Sequence, residues 1–563
     1  MHDLVIRGGT IIDGSGAGPV TGDIAVRDGL IVAVGGKAGP GKREVQADGA
    51  LVTPGWVDIH THYDGQATWD DELAPSCWHG VTTTVFGNCG VGFAPVRKGS
   101  EPYLINLMEG VEDIPGTVLS EGLDFAWESF ADYLDRLGQM PRVMDVGAQV
   151  PHAALRFYCM GERGANHTEV PTEDEITDMG RLLEQALAAG ALGFSTSRTI
   201  KHRARDGSFT PSLTAKEAEL FGLAAAMRRA GKGVLQVNSD FAPGDFDVLR
   251  TAAQLAGRPL SVLLLQVDNA PDRWRETLDG IHAANAAGIS ATGQVGSRPI
   301  GIVMGLECSV HPFLTHAVWK ELADLGPKDR WQRLAGDAGL RARMLAEKPQ
   351  TGHVKWMESA IDKAFVMSAP IDYEPAFADS VGARAKREGR DKWELALELM
   401  LANGGKTLLL LPFENYHAGS LDVIHEMLTD PHTVCGLADG GAHVGVICDA
   451  SAPTTLLTIW GRDRTRGPRI PLPYLVKKQT RDTALTYGLT DRGLLAPGMK
   501  ADINVIDFRN LRARMPEVVY DLPAGGRRLM QRADGYRHTF VSGIETLANG
   551  ELTGAKPGVL LRR

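Results

Sequence analysis

The sequence predicts an α/β protein, a (β/α)8 TIM-like barrel with a small β-sandwich domain built from both termini. Three observations support this prediction. Eight short apolar runs alternate with helical patterns through the middle of the chain, and both ends share short β-like runs separated by glycine-rich turns. The chain has 563 residues, of which 43% are hydrophobic and 23% charged, so it can bury a large core in more than one domain.

The strand candidates follow one another at the spacing of strand–helix units. They cover residues 55–62, 81–86, 143–150, 191–195, 233–238, 260–266, 289–293 and 434–439. Helical patterns lie between them, for example at 172–189, where Thr172 is a cap, and at 214–230. In a barrel of this kind the chemistry lies at the carboxyl ends of the strands.

The first fifty residues contain short β-like runs separated by glycine-rich turns, and similar β-like runs occur near 501–507 and 539–543. We therefore expect residues 1–54 and 491–563 to form the β-sandwich and residues 55–490 to form the barrel. The last gap between strand candidates is too long for a single connection. It predicts an insertion at about 300–405, rich in tryptophan, arginine and helix formers, which suits a lid.

Composition narrows the class of protein. The formal net charge of -10 disfavours a nucleic-acid surface or an anionic membrane as partner. The six cysteines show no paired spacing, which fits a reducing compartment. The start resembles no signal peptide, and no apolar run approaches the ~20 residues that cross a bilayer. We expect a cytoplasmic protein with a small-molecule partner. The oligomeric state stays open, a homo-oligomer included.

The first barrel strand ends in two histidines separated by one residue. In a strand, alternate side chains share a face, so His60 and His62 point the same way and can bind one divalent metal. A bare His-x-His is more often an ordinary polar pair. Here the pair follows Pro54-Gly55 and an apolar run, and this context favours a metal site. Tyr63, in the polar turn that follows, is a candidate substrate-binding residue.

Two further residues could join this metal. Cys89 follows the second strand between glycines, where a tight turn can present a thiolate, although a free cysteine is usually a small buried hydrophobe. Asp439 ends the last strand candidate, where a carboxylate can bind metal and accept a proton from water. A turn or cap aspartate is the alternative interpretation.

Four more residues are candidates for catalysis or substrate binding. His443 could orient the substrate or donate a proton, and is equally compatible with a plain loop histidine. Arg198 suits a substrate carboxylate, because guanidinium and carboxylate pair in a bidentate fashion. His152 and His202 follow the third and fourth strands, where a histidine is more often an ordinary loop residue.

The chain resembles the amidohydrolase superfamily and, within it, the D-aminoacylase (N-acyl-D-amino-acid deacylase) family. The resemblance covers nearly the whole chain, with segments at 4–14, 54–62, 87–90, 190–196 and 493–502. It implies a metal-bearing barrel with a terminal β-sandwich. His60, His62, Cys89 and Asp439 fall on the family's metal-ligand positions, with Asp439 also the acid/base.

The sequence departs from the family at the fifth and sixth strands, which each normally supply a metal-binding histidine. Asn238 stands near the first of these positions, and Gln266 or a neighbour near the second. Neutral amides are poor zinc ligands. We therefore predict one zinc ion per chain, held by two imidazoles, a thiolate and a carboxylate. The family's arginine pattern beyond the catalytic aspartate is also absent, at 442–451.

The resemblance implies hydrolysis of an N-acyl amide, such as an N-acyl amino acid, by a metal-activated water with Asp439 as acid/base. Two alternatives stay open. One is hydrolysis of a cyclic amide or another C–N bond. The other is a noncatalytic homologue that has lost its metal, which the missing histidines favour and the retained ligand positions oppose.

Overall fold

The computed structural model describes residues 1–563 and contains eight parallel strands around a closed barrel. These barrel strands are Trp56–Asp58, Val81–Phe86, Asp145–Ala148, Gly193–Arg198, Val234–Ser239, Leu260–Leu263, Ala291–Val295 and Thr433–Cys435. Each falls on or beside one of the eight strand candidates, so the predicted fold class is confirmed. The alternating pattern of apolar strand and amphipathic helix was sufficient to find every one.

The barrel strands pair in sequence order, with two joints that complete the ring. The short strand Val150–Pro151 continues the third barrel strand and pairs with the fourth through Phe194 and Val150. The eighth strand returns to the first through a parallel bridge between Thr61 and Gly440. At this joint the Asp439 amide donates to the His60 carbonyl oxygen at 3.0 Å. Closure of the barrel therefore brings the first and last candidate ligand segments together.

Helices surround the barrel, and their apolar faces pack on the strands. The predicted helix at 172–189 is Glu173–Ala189, and Thr172 caps it in a reciprocal pair of hydrogen bonds with Glu175. No helix combines the length and apolar character needed to cross a bilayer. The other helices of four or more residues outside the insertion are Ser76–His79, Glu101–Glu112, Gly116–Gly122, Phe130–Gly138, His152–Met160, Gly161–Ala165, Glu217–Ala230, Asp245–Ala256, Arg273–Ala286, Asp422–Thr429, Ala452–Thr455, Leu456–Asp463, Leu472–Lys477, Lys478–Asp482 and Thr483–Thr486.

Both ends of the chain contribute to one nine-stranded sheet. Leu51–Pro54 lies between His2–Ile11, which it pairs with in parallel, and Ile503–Ile506, which it pairs with in antiparallel fashion. The remaining strands are Val20–Arg27, Leu30–Val34, Gly41–Gln46, Tyr536–Val541, Ile544–Ala548 and Glu551–Leu552. Two short ribbons accompany it, Arg512–Ala513 with Ala533–Asp534 and Glu517–Leu522 with Gly526–Met530.

A buried ion-pair network links the C-terminal part of the chain to the barrel. Arg492 donates to the Asp145 carboxylate at 2.5 Å and to the Thr83 hydroxyl at 2.8 Å. Lys500 bridges Asp145 at 2.9 Å and Asp502 at 2.7 Å. Asp145 lies on the third barrel strand and is fully buried, so its charge depends on these two cations.

Between the seventh and eighth barrel strands the chain forms a separate unit, which we call the insertion. Its antiparallel sheet consists of Ile300–Met304, Phe365–Val366 and Leu409–Glu414, so it runs past the predicted limit of 405. A hydrophobic cluster of 22 buried residues, all between Met304 and Leu411, forms its own core. Its helices are Ala317–Glu321, Pro327–Gly336, Ala338–Ala346, Gly352–Lys363, Val381–Glu388 and Lys392–Gly405.

Candidate metal centre

The candidate ligands lie at the carboxyl end of the barrel. The first barrel strand ends at Asp58, earlier than predicted, so His60 and His62 follow it as an extended segment held by the joint with the eighth strand. Cys89 lies in the loop after the second strand with φ of 55°, beside Gly90 at φ of 69°. This left-handed turn presents the thiol to the barrel mouth, as the flanking glycines suggested.

His60, His62 and Cys89 form a compact group of donor atoms, and Asp439 lies close to both histidines. His60 Nε2 lies 3.3 Å from Cys89 Sγ and 3.6 Å from Asp439 Oδ1. His62 Nε2 lies 3.8 Å from the same Asp439 oxygen, and the donor atoms of the two histidines and the cysteine are all within 4.8 Å of one another. Zinc–ligand bonds of about 2.0–2.3 Å place tetrahedral donors roughly 3.3–3.8 Å apart. The residues present therefore fit a divalent metal.

Polar contacts set the orientation of His60. Its Nδ1 donates to Gln294 Oε1 at 2.7 Å, while the amide nitrogen of Gln294 donates to Ser261 Oγ at 2.9 Å. This chain of bonds places the proton of His60 on Nδ1. The lone pair on Nε2 then points at Cys89 and Asp439, which is the form that a metal ligand requires.

Burial shifts the pKa values of the site toward neutral forms. It lowers the pKa of His60 to about 4 and that of His62 well below its ordinary value. It raises the pKa of the Cys89 thiol and of the Asp439 carboxyl well above their ordinary values. The imidazoles are thus ready to bind a metal, whereas the thiol and the carboxyl need a nearby cation to ionise.

Glu112 is a buried acid that the sequence analysis missed. It ends the helix Glu101–Glu112, is 1% exposed, and places Oε1 3.3 Å from His62 Nδ1 and Oε2 3.5 Å from His443 Nε2. One signal was available. Glu112 continues the apolar stripe of Leu104 and Met108 at intervals of four, so a carboxylate occupies a core-facing position of the helix.

The positions where the family supplies two more histidines hold other groups. Asn238 is the penultimate residue of the fifth strand, and its side-chain nitrogen lies 3.7 Å from Cys89 Sγ and 3.2 Å from His202 Nε2. Leu263 and Leu265 line the site beside the sixth strand. Gln266 points elsewhere, because its amide donates to the Pro271 carbonyl oxygen at 3.1 Å.

A cavity of about 270 Å³ opens above the candidate ligands. The barrel contributes Leu263, Leu265 and Leu437 to its wall. The insertion contributes four further lining residues from its sheet, which are Ile300, Ile302, Phe413 and Glu414. The insertion therefore covers the barrel mouth and forms one side of the cavity, and this is the face that the sequence could not specify.

The structure brings only some of the candidate substrate residues to this cavity. His202 and His443 line it. Arg198 does not, because its guanidinium donates to Asp245 at 2.8 Å and to the Ala215 carbonyl oxygen at 2.8 Å. His152 is buried against Thr196 and Glu219, and the Tyr63 hydroxyl bonds to Ser76 Oγ at 2.7 Å. Arg198, His152 and Tyr63 are therefore engaged with neighbouring groups of the fold.

Comparison with known proteins agrees with the fold and shows relatives over nearly the whole chain. A protein of Mycobacterium tuberculosis described as uncharacterised is 26% identical, over 98% of this chain and 93% of its own. N-acyl-D-aspartate deacylase of Alcaligenes xylosoxydans xylosoxydans is 28% identical, over 99% of this chain and 95% of its own. A crystal structure of D-aminoacylase superposes over the full length of both chains with a TM-score of 0.65 and 22% identity, which supports the fold.

The family assignment rests on a longer match. The model of the amidohydrolase family covers residues 43–547, which include the whole barrel, the insertion and part of the terminal sheet. The matched range also contains all four candidate metal ligands and Glu112. The predicted resemblance is therefore confirmed, and the chain belongs to the amidohydrolase family.

Proposed function

We propose that this protein is a metal-dependent hydrolase of N-acyl amides, with one divalent ion held by His60, His62, Cys89 and Asp439. The observation that carries the proposal is the approach of His60 Nε2 to Cys89 Sγ at 3.3 Å and to Asp439 Oδ1 at 3.6 Å. The similarity to N-acyl-D-aspartate deacylase over nearly the whole chain supports amide hydrolysis.

The chemistry adds water across the amide C–N bond. A bound divalent cation would polarise the acyl carbonyl and acidify the attacking water. The new bond joins the water oxygen to the carbonyl carbon, and the C–N bond breaks. Asp439 accepts the proton of the water and delivers it to the departing nitrogen, which would otherwise be a poor leaving group.

The chain's other residues hold this arrangement in place. Gln294 fixes the tautomer of His60, and Glu112 lies behind His62 in the position of a carboxylate that orients a metal-bound imidazole. His443 lines the cavity beside Glu112 and can position the substrate carbonyl or exchange a proton. His202 is held by Ser197 Oγ at 3.1 Å and faces Asn238.

We expect a single metal ion because the fifth and sixth strands supply no good ligand for a second one. Asn238 offers an amide there, and Leu263 and Leu265 offer no donor atom. Zinc analysis of purified protein should give about one ion per chain. Two ions would contradict the proposed donor set, and none, together with full activity after treatment with a chelator, would contradict metal-dependent hydrolysis itself.

Asp439→Asn tests the catalytic assignment. The variant should keep the fold and lose about 10²–10⁴-fold in kcat, because an amide cannot relay the proton. A panel of N-acyl amino acids, hydantoins and lactams separates linear from cyclic amide hydrolysis. Turnover of cyclic amides alone would overturn the proposed substrate class.

We also propose that the protein works in the cytoplasm. All six cysteines are unpaired in the structure, four of them buried away from the site, which suits a reducing compartment. A fluorescent fusion followed by cell fractionation tests this location.

A further inference from the structure

We infer that the site prefers neutral N-acyl amides, in which the amine part carries no carboxylate. This inference rests on the proposed function and deepens it by naming the substrate class. It follows from the charges and apolar groups that line the cavity, and from the pairing of the single lysine among them.

The cavity offers no free cation to a substrate carboxylate. Lys201 is the one lysine or arginine that lines it, and its ammonium group pairs with the Glu414 carboxylate. Glu414 is 6% exposed, so this partner is buried and depends on Lys201 for its own charge balance. A substrate carboxylate would have to displace Glu414 and leave it unpaired.

The other ionisable groups near the cavity offer no positive charge to a substrate carboxylate. Glu112 and Asp439 both face the cavity, and burial lowers the pKa of His202 to about 3 and of His443 to about 4, so these imidazoles are neutral. Arg198, the candidate for pairing with a carboxylate, is held by Asp245 outside the cavity. An anionic substituent would therefore find no available positive side chain in the cavity wall.

The rest of the wall suits an uncharged, apolar group. Nine aliphatic or aromatic side chains line the space around the candidate metal centre, and Leu263, Leu265, Leu437, Ile300, Ile302 and Phe413 are among them. The volume of about 270 Å³ is slightly below the ~300–1,000 Å³ usual for small-molecule pockets, so the cavity suits a small substrate. A compact amide with apolar substituents on both sides of the C–N bond matches this lining.

The test uses a matched pair of substrates. N-acetyl-leucine, in both D and L forms, and N-acetyl-3-methylbutylamine have the same acyl group, scissile bond and branched chain, and differ only in the carboxylate. With the zinc-loaded protein we expect kcat/KM at least about tenfold higher for the neutral amide, since an unpaired charge is costly in an apolar cavity. Equal or better turnover of either leucine derivative would overturn the inference and leave amide hydrolysis intact.

Calorimetric titration of both compounds into chelator-treated wild type, which keeps every residue that lines the cavity, gives a second readout that does not need turnover. Tighter binding of the neutral amide, by at least about tenfold, is expected. If neither compound is hydrolysed by the wild type yet the neutral one binds more tightly, the proposed function fails and the selectivity stands. If neither is hydrolysed and neither binds, both fail.

Glu414→Gln examines the ion pair itself. Release of Lys201 should raise kcat/KM for the carboxylated substrate relative to the neutral one by about tenfold or more. The double variant Glu414→Gln, Lys201→Met should lose this gain. A ratio that is unchanged in Glu414→Gln, or a gain that persists in the double variant, would show that the Lys201–Glu414 pair does not set the preference.

Discussion

Glu112 Oε1 lies 3.3 Å from His62 Nδ1, which places a buried carboxylate directly behind a candidate metal ligand. The acid reaches this position from the end of a helix that follows the second barrel strand. Neither atom has a hydrogen-bond partner in this geometry, so a small shift would join them in a bond that fixes the imidazole's orientation and makes its other nitrogen a stronger donor.

Glu112→Gln should therefore weaken zinc affinity by about 10–100-fold while the fold is kept. Competition with a chromophoric chelator measures the affinity, and circular dichroism checks the fold. Glu109→Gln is the matched control, because Glu109 lies on the same helix but pairs with Arg205 at the surface. Equal zinc affinity in both variants would rule out the assigned role of Glu112.

Cys89→Ser should abolish the stabilisation that zinc gives to the protein. Zinc at 100 times its Kd stabilises a folded site by about 2.7 kcal/mol, which appears as a rise in the thermal midpoint. Cys435→Ser should retain this rise, since Cys435 is equally buried but lies on the eighth strand outside the cavity. A zinc-induced rise that survives in Cys89→Ser would contradict the thiolate ligand.

The buried His79, which lies outside the candidate metal centre, should make the stability of the protein depend on pH. Its Nε2 donates to the Gln531 carbonyl oxygen at 2.8 Å, its Nδ1 accepts from the Thr454 hydroxyl at 2.8 Å, and burial lowers its pKa to about 4. Between pH 6.5 and 4 only the unfolded chain binds a proton at this residue, so its stabilising contribution is lost as pH falls.

The thermal midpoint of His79→Gln should thus lie below that of the wild type at pH 7.5. The gap should narrow at pH 5, because the wild type alone loses stability through His79, by about 1.4 kcal/mol per pH unit. Other titrating groups are common to both proteins and cancel in the comparison. A gap that stays constant or widens at pH 5 would refute a neutral, doubly bonded His79.

Arg492→Met should destabilise the protein by about 3 kcal/mol, because it removes one of two cations that balance the buried Asp145. Differential scanning fluorimetry would record a lower thermal midpoint. Arg509→Met is the comparison, since Arg509 is exposed and its side chain forms no ion pair. Similar midpoints for the two variants would mean that the network contributes nothing.

The sequence was sufficient to predict the barrel and to single out the residues that the proposed metal site uses, for a local reason. Each barrel strand is visible in the sequence as an apolar run. The carboxyl ends of the strands meet at the barrel mouth, and the residues next to them include His60, His62, Cys89 and Asp439. The resemblance to a known family reinforced the same positions. Neither source required knowledge of how distant side chains meet.

The features that the sequence did not predict depend on contacts between residues that are far apart in the chain. Lys201 and Glu414 are joined across the cavity by the placement of the insertion, which no local pattern describes. Arg198 looked free in sequence, yet Asp245 from the start of another helix engages it. Glu112 was visible only as an acid on a helix's apolar stripe, and its role emerged when His62 and His443 appeared beside it.

The insertion has a consequence for how such enzymes diversify. Its core of 22 residues is self-contained, and its sheet supplies Ile300, Ile302, Phe413 and Glu414 to the cavity, whereas the candidate ligands all belong to the barrel. The proposed metal ligands and one side of the substrate cavity thus come from different segments of the chain. Sequence changes within the insertion can therefore alter which substrates fit the cavity and leave the proposed metal ligands of the barrel unchanged.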